Sequence, residues 1–211
     1  MAVETKFPLT RQDLAAISTG LVRFPASFPE YWAVLEKAEY RADFLQNEII
    51  AMSYESNLHS KIVSEMMWLL RNIFPRPKFA IHDSNRPVYL PDCGKGKAVF
   101  NPDCCVTPEP PALFQYKTGL DAETNPLVVV EVLSKSTYEY DFTEKLPCYK
   151  KISSLRYLVY VDSLRTFVTV FERIRDTDQW INTDYDQPEA GFSLGDQKIS
   201  LSQIYSHVPQ Q

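Results

Sequence analysis

The stretch that decides the fold is Leu127-Val128-Val129-Val130-Glu131-Val132-Leu133, in which one carboxylate interrupts six aliphatic side chains. It follows Asn125-Pro126, and its β-branched composition predicts a buried strand. Because side chains alternate along a strand, Glu131 shares a face with Val129 and Leu133. An unpaired buried carboxylate costs on the order of several kcal/mol, so Glu131 requires a cation, a proton or a partner. Either it pairs with a basic residue at the open end of the strand, or it serves a functional site.

The length and composition are those of one globular domain. The chain has 211 residues, of which 45% are hydrophobic and 13% aromatic, enough to form a sizeable core. No apolar run approaches the roughly 20 residues needed to cross a bilayer. The first six residues lack the basic-then-apolar layout of a signal peptide. We therefore expect a cytoplasmic protein without a membrane segment.

The charge and the cysteines count against two other kinds of protein, a stoichiometric nucleic-acid binder and a zinc protein with a closed site. A net charge of −5 provides no basic field that would attract nucleic acid by itself. This counts less against a metal-dependent enzyme, because a bound divalent ion neutralises a carboxylate cluster. The four cysteines form no C-x-x-C pair, which disfavours a closed zinc site. We expect reduced, partly buried thiols.

Local patterns predict one α/β domain over residues 28–211. Residues 1–27 are predicted to be a loosely held arm or a peripheral helix, with residues 13–17 as the candidate helical stretch. The clearest helix runs from about Ser56 to Ile73, where apolar residues recur every three or four positions. Gln46-Asn47 is predicted to be the turn of a hairpin. The prolines of residues 108–116 predict a surface loop there.

A helix is predicted to begin at Asp141, directly after the central strand. Asp141 and Glu144 have the spacing of a capping box. Pro147 must then lie near the first turn or kink the helix.

Three side chains from separate segments suggest a metal site. Asp103 precedes a short apolar strand, Glu131 follows 28 residues later, and Lys145 lies 14 residues beyond that. Two carboxylates on neighbouring strands can hold Mg²⁺, whose other positions are filled by water and phosphate oxygen. Such an ion lowers the pKa of a bound water and neutralises charge on a phosphodiester. A nearby lysine can orient the attacking water or stabilise the transition state.

The chain resembles the Uma2 family (DUF820) of the PD-(D/E)XK nuclease superfamily. The resemblance covers roughly residues 28–173 and is carried by these segments: Tyr40-Arg41-Ala42-Asp43-Phe44, residues 47–53, His59, Asn101-Pro102-Asp103, residues 126–134, Tyr140-Asp141, Glu144-Lys145-Leu146 and Tyr149. It implies a restriction-endonuclease-like core, with a central mixed β-sheet flanked by helices and an N-terminal helical or hairpin extension. It also implies a DNA endonuclease that uses Mg²⁺, with Mn²⁺ as an alternative. Nucleases of this class commonly act as dimers when they cut both strands, so a homodimer is one possible assembly.

The position of the lysine departs from the superfamily pattern. That pattern places a lysine two residues after the acidic residue, and Leu133 stands there in this chain. The resemblance implies that the following helix supplies the amine from Lys145. Lys135 is an alternative source of the amine, because it is an even number of residues from Glu131 and would share the same strand face. However, the strand is ending there.

Besides Lys135, three further residues are secondary candidates for the site. Glu48 could add a third acidic group or face water, and His59 has a minor role at most. Asp141 is predicted to be a helix cap rather than a ligand. Basic residues elsewhere could contact phosphates or be solvated, namely Lys61, Arg71, Arg76 and Lys78.

The leading hypothesis is therefore a Mg²⁺-dependent endonuclease with Asp103 and Glu131 as metal ligands and Lys145 as the assisting cation. One alternative is an inert module of nuclease fold that binds DNA or protein. Another is a metal phosphohydrolase that acts on a small phosphoester.

Overall fold

The computed structural model describes residues 7–52, 56–94, 96–175 and 177–208. The apolar stretch around Glu131 forms β10 (Val128–Leu133), in which every residue is buried. β10 is parallel to one neighbouring strand and antiparallel to the other. The sheet that contains it is therefore mixed, as predicted. Its six described strands are, in spatial order, β13 (Trp180–Tyr185), β12 (Val168–Arg173), β11 (Tyr157–Asp162), β10, β7 (Cys104–Pro108) and β4 (Phe79–Asp83).

A second sheet of seven described strands lies beside the first. The predicted hairpin is confirmed within it, and Gln46 and Asn47 both have positive φ angles, 51° and 62°, as a type I′ turn requires. The strands of this sheet are, in spatial order, β1 (Leu21–Pro25), β3 (Glu48–Met52), β2 (Ala42–Leu45), β6 (Ala98–Phe100), β5 (Val88–Leu90), β9 (Leu120–Glu123) and β8 (Leu113–Lys117). β14 (Gly191–Leu194) and β15 (Gln197–Ser200) form a separate hairpin.

Two segments differ from the predictions. β1 pairs with β3 over five residues, so residues 21–25 of the predicted arm are an edge strand of the second sheet. Residues 1–6 of that arm lie outside the described part. The predicted loop at 108–116 is wrong in its second half, where β8 forms. Its side chains are mostly exposed, so the strand has no alternating pattern of burial that would reveal it.

The helices cover the sheets on their outer faces and at one edge. The predicted long helix is confirmed as α3, and the hydroxyl of Ser56 accepts a hydrogen bond from the backbone N–H of His59 to cap it. The helices are α1 (Arg11–Ile17), α2 (Phe28–Leu35), α3 (Asn57–Ile73), α4 (Tyr138–Tyr140), α5 (Leu146–Tyr149) and α6 (Leu201–Ile204). In the described ranges, no helix is long and apolar enough to span a membrane.

The two faces of β10 belong to different hydrophobic clusters. Val128, Val130 and Val132 pack with buried residues of α3. Val129 and Leu133 pack in a cluster that includes residues of the second sheet. Because Glu131 shares this second face, its carboxylate lies on the side of the central sheet that faces the second sheet.

The helix predicted to begin at Asp141 is wrong in its start and its cap. The helical run begins with α4, and residues Asp141–Lys145 form a π-helical segment that leads directly into α5. The N–H of Leu146 bonds to the carbonyl of Asp141, five residues back. Pro147 has no N–H with which to continue an α-helical pattern, which accounts for the irregularity in the preceding turn.

The expectation of four reduced cysteines is also wrong. Cys93 and Cys148 form a disulfide, with their Cα atoms 4.8 Å apart, whereas Cys104 and Cys105 are free and buried. The paired cysteines are 55 residues apart in the chain. They meet only because the connection between β5 and β6 packs against α5, and no local spacing rule detects such a contact.

Candidate active site

Glu131 is buried in the middle of the site, with 3% of its surface exposed. Its Oε1 accepts a hydrogen bond of 2.6 Å from the Tyr149 hydroxyl and lies 2.7 Å from the Lys145 amine. Burial raises the pKa of Glu131, and the nearby carboxylates of Asp141 and Asp103 add to the rise, whereas the Lys145 amine opposes it by stabilising the ionised form. Lys145 and Tyr149 are therefore the partners that this buried carboxylate requires.

Lys145 lies among three carboxylates. Its Nζ is 2.7 Å from Glu131, 3.3 Å from Asp141 and 3.6 Å from Asp43. Burial alone would lower the pKa of Lys145, but the neighbouring carboxylates, that of Glu131 foremost, raise it well above its usual value. The amine is thus held as a cation. The π-helical segment places it there, because its first and last residues, Asp141 and Lys145, are both buried on the side toward β10.

Asp103 reaches the same region from the start of β7. β7 pairs with β10 only as far as Val130, so the N–H of Val132 has no backbone partner on that strand. The Oδ2 atom of Asp103 accepts this N–H at 2.7 Å and also lies 3.2 Å from Nε2 of His59. The carboxylate is thereby fixed beside the strand residue that follows Glu131.

Asp43 is a site residue that the sequence analysis missed. It lies in β2, and its carboxylate accepts hydrogen bonds from the backbone N–H of Asn101 at 2.8 Å and from the Tyr140 hydroxyl at 3.0 Å. All four residues of β2 are buried. An acidic residue in a short apolar strand is the signal that drew attention to Glu131, and the same argument could have found Asp43.

One cavity of about 550 Å³ connects these groups. Its lining includes all five charged side chains of the cluster, which are Asp43, Asp103, Glu131, Asp141 and Lys145. His59 also lines it. The structure therefore brings together the three leading candidates of the sequence analysis and two of the secondary ones, His59 and Asp141.

The two other secondary candidates lie elsewhere. Glu48 forms an ion pair of 3.0 Å with Arg23, which also contacts Glu144. Lys135 is exposed in the turn that follows β10. Neither residue lines the cavity.

The residues present fit a Mg²⁺ ion better than a zinc ion. Asp103 and Glu131 bring carboxylate oxygens to one cavity, and both of their charges remain close to other carboxylates that a cation would offset. Within the described residues, no three His, Cys, Asp or Glu side chains converge on one metal position, so no closed zinc-type cage exists there. Mg²⁺ commonly takes one or two carboxylates and keeps several waters.

Comparison with known proteins places the chain in a family. The profile of the Uma2 family, described as "Putative restriction endonuclease", matches residues 28–200. The chain belongs to the Uma2 family. A relative, "Uncharacterized protein sll1609" of Synechocystis sp., is 26% identical over 170 residues, which cover 81% of this chain and 93% of that protein.

A solved structure supports the fold of this Uma2 protein. The crystal structure of "a putative nuclease belonging to DUF820" from Anabaena variabilis matches with a TM-score of 0.61 and 16% sequence identity. The match covers 94% of this chain and 98% of that one. The mixed α/β architecture is therefore consistent with a restriction-endonuclease-like fold, as predicted.

Proposed function

We propose that this Uma2 protein is a Mg²⁺-dependent endonuclease that hydrolyses DNA phosphodiester bonds at the cavity described above. The observation that carries the proposal is the meeting of Asp103, Glu131 and Lys145 in one cavity, although 28 and 14 residues separate them along the chain. Acidic groups beside a lysine, buried in one cavity, are the constellation that metal-assisted phosphodiester hydrolysis requires.

Asp103 and Glu131 would hold the ion through their carboxylate oxygens. When bound, the ion supplies Lewis acidity that activates water and offsets phosphate charge, and Mn²⁺ can supply the same chemistry. The hydrogen bond from Val132 to Asp103 keeps that carboxylate in place. The Tyr149 hydroxyl does the same for Glu131.

Lys145 acts as an electrostatic stabiliser and not as a base. Its raised pKa keeps the amine protonated at neutral pH, so it can donate hydrogen bonds to the attacking water or to phosphate oxygens. Since Glu131, Asp141 and Asp43 surround the amine, its position is fixed before substrate arrives.

The test is cleavage of supercoiled and linear DNA by the full chain with Mg²⁺, with Mn²⁺ and with EDTA. Cleavage is expected with either metal and not with EDTA. Asp103→Asn, Glu131→Gln and Lys145→Met should each reduce the rate by roughly 10²-fold or more. Glu48→Gln and Lys135→Gln are matched controls, because they remove the same charges outside the cavity. Wild-type rates in all three site variants would overturn the assignment.

A metal phosphohydrolase is the second candidate, because a cavity of about 550 Å³ has the size of a small-ligand pocket. Parallel assays with a nitrophenyl phosphodiester and with DNA separate the two activities. Faster turnover of the small ester, with DNA left intact, would favour the phosphohydrolase. Isothermal titration that detects no binding of Mg²⁺ or Mn²⁺ at millimolar concentration would instead favour an inert binding module.

A further inference from the structure

The cavity has a cationic rim as well as an acidic floor. Arg11, in the first turn of α1, and Arg41, directly before β2, both line it, and both are exposed. The floor carries four carboxylates against the single amine of Lys145. A polyanionic substrate that approached this floor would be repelled unless cations at the entrance held it.

The two rim guanidinium groups are held by neutral acceptors. Nε and Nη2 of Arg41 both donate to the side-chain oxygen of Asn85, at 2.9 and 2.5 Å. Nε of Arg11 donates to the backbone carbonyl of Glu39 at 3.1 Å. These bonds orient the guanidinium groups without cancelling their charge.

Several other arginines of the chain are neutralised by carboxylates. Arg23 pairs with two glutamates, Arg86 with Asp121 and Glu123, and Arg165 with Asp162. In the part of the chain that the structure describes, neither Arg11 nor Arg41 has a carboxylate within ion-pair distance. Glu39 also lines the cavity and is exposed, so the rim carries two guanidinium charges against one carboxylate. It therefore retains a net positive charge that is available to an anion from outside.

We propose that Arg41, assisted by Arg11, binds a backbone phosphate of the DNA that flanks the bond to be cut. The inference rests on the proposed function and deepens it, since it states where the substrate strand enters. Arg41 is the principal contact because Asn85 holds two of its donors and leaves the Nη1 edge to meet phosphate oxygens. Asn85 is itself fixed by a hydrogen bond of 2.9 Å, which its backbone N–H donates to the carboxylate of Asp83.

The same observations argue against a contact with DNA at the cavity by the basic residues near the end of α3. Arg71, Arg76 and Lys78 are exposed but do not line the cavity. Arg71 is thus a matched control for Arg41, because its removal changes the net charge equally and leaves the cavity rim intact.

The experiment measures binding of a fluorescein-labelled DNA duplex of ~20 base pairs by fluorescence anisotropy, in EDTA and over a series of KCl concentrations. Binding in EDTA is independent of metal and of cleavage. Arg41→Gln should weaken binding about 5- to 20-fold and lower the salt slope of log K by about 1, and Arg11→Gln/Arg41→Gln should lower it by about 2. Arg41→Lys should leave the salt slope of log K unchanged, because the charge is retained. It should bind DNA more weakly than the wild type, because an ammonium lacks the planar pair of donors of a guanidinium group. Arg71→Gln should match the wild type.

The outcomes separate this inference from the nuclease assignment. If Arg41→Gln binds DNA with the affinity and slope of Arg71→Gln, the inference is wrong, whatever the cleavage assay shows. Absence of measurable binding by the wild-type chain would also overturn it. Binding that depends on Arg41, together with no cleavage in Mg²⁺ or Mn²⁺, would support the phosphate contact and reject the nuclease. Thermal melting within about 2 °C of wild type establishes that the variants are folded.

Discussion

The side chains of Lys145 and Glu131 form a buried ion pair, with Nζ of the lysine 2.7 Å from Oε1 of the glutamate. The pair joins the π-helical segment to the central strand β10. Both side chains are almost inaccessible, with 6% and 4% exposed. The charge of Glu131 therefore depends on the Lys145 amine, which Asp141 and Asp43 also stabilise. The contact couples the stability of the fold to the chemistry of the site.

This coupling predicts a non-additive double-mutant cycle. Lys145→Met leaves a buried carboxylate without its cation and should cost about 3–5 kcal/mol of unfolding free energy. Glu131→Met/Lys145→Met should cost clearly less than the sum of the two single changes, because both charges are removed together. Urea denaturation of the four proteins measures the coupling. Additive costs within about 0.5 kcal/mol would show that the two charges do not depend on each other.

Tyr149→Phe is expected to destabilise the protein and to slow DNA cleavage. It removes the hydroxyl that donates to Glu131 at 2.6 Å, a hydrogen bond to a charged group worth about 1.5–3 kcal/mol. Thermal unfolding and the cleavage rate are the measurements. Tyr138→Phe is the control, because Tyr138 is 47% exposed and lies outside the cavity lining. An unchanged melting temperature in Tyr149→Phe would contradict the role of this bond.

Asp43→Asn should reduce cleavage by at least about 10-fold while the chain still folds. The substitution removes one of the charges around Lys145 and weakens the bonds from Asn101 and Tyr140. The accompanying loss of stability should be about 1–3 kcal/mol. Rates for Asp43→Asn are compared with those for Asp186→Asn, which removes an exposed charge. Equal rates in these two variants would remove Asp43 from the site.

Glu123, a buried carboxylate outside the cavity, should make stability depend on pH. Its carboxylate bridges the two large sheets, contacting His82 at 3.0 Å, Arg86 at 3.2 Å and the Thr107 hydroxyl. Burial alone would raise the pKa of Glu123, but these partners lower it below its ordinary value. The stabilisation is therefore present above that ordinary value and is lost as pH falls through the folded-state pKa.

The corresponding measurement compares melting temperatures of wild type and Glu123→Gln between pH 7 and pH 3. At pH 7 the variant should lose about 3 kcal/mol, or roughly 6–12 °C for a chain of this length. The difference should shrink on acidification, because the wild-type carboxyl becomes neutral as well. Glu189→Gln serves as the exposed control. A difference in melting temperature that grows at low pH would contradict the expected direction of the pH dependence.

Local sequence determined the strand β10, the hairpin at Gln46-Asn47 and the helix α3. Each of these elements has a burial pattern or turn chemistry that repeats within a few residues, so the sequence alone reveals it. The same reasoning singled out Glu131, since an ionisable group in an apolar strand must have a partner. The structure then showed that this partner includes Lys145.

Only the tertiary structure decided which distant side chains meet. Asp43 and Tyr149 lie 88 and 18 residues from Glu131 along the chain, and no spacing rule relates them to it. The Cys93–Cys148 disulfide and the pairing of β1 with β3 likewise depend on how separate elements pack. Local periodicity fixes which face of an element is buried, but the contacts across that face are set by the packing of the two sheets against each other.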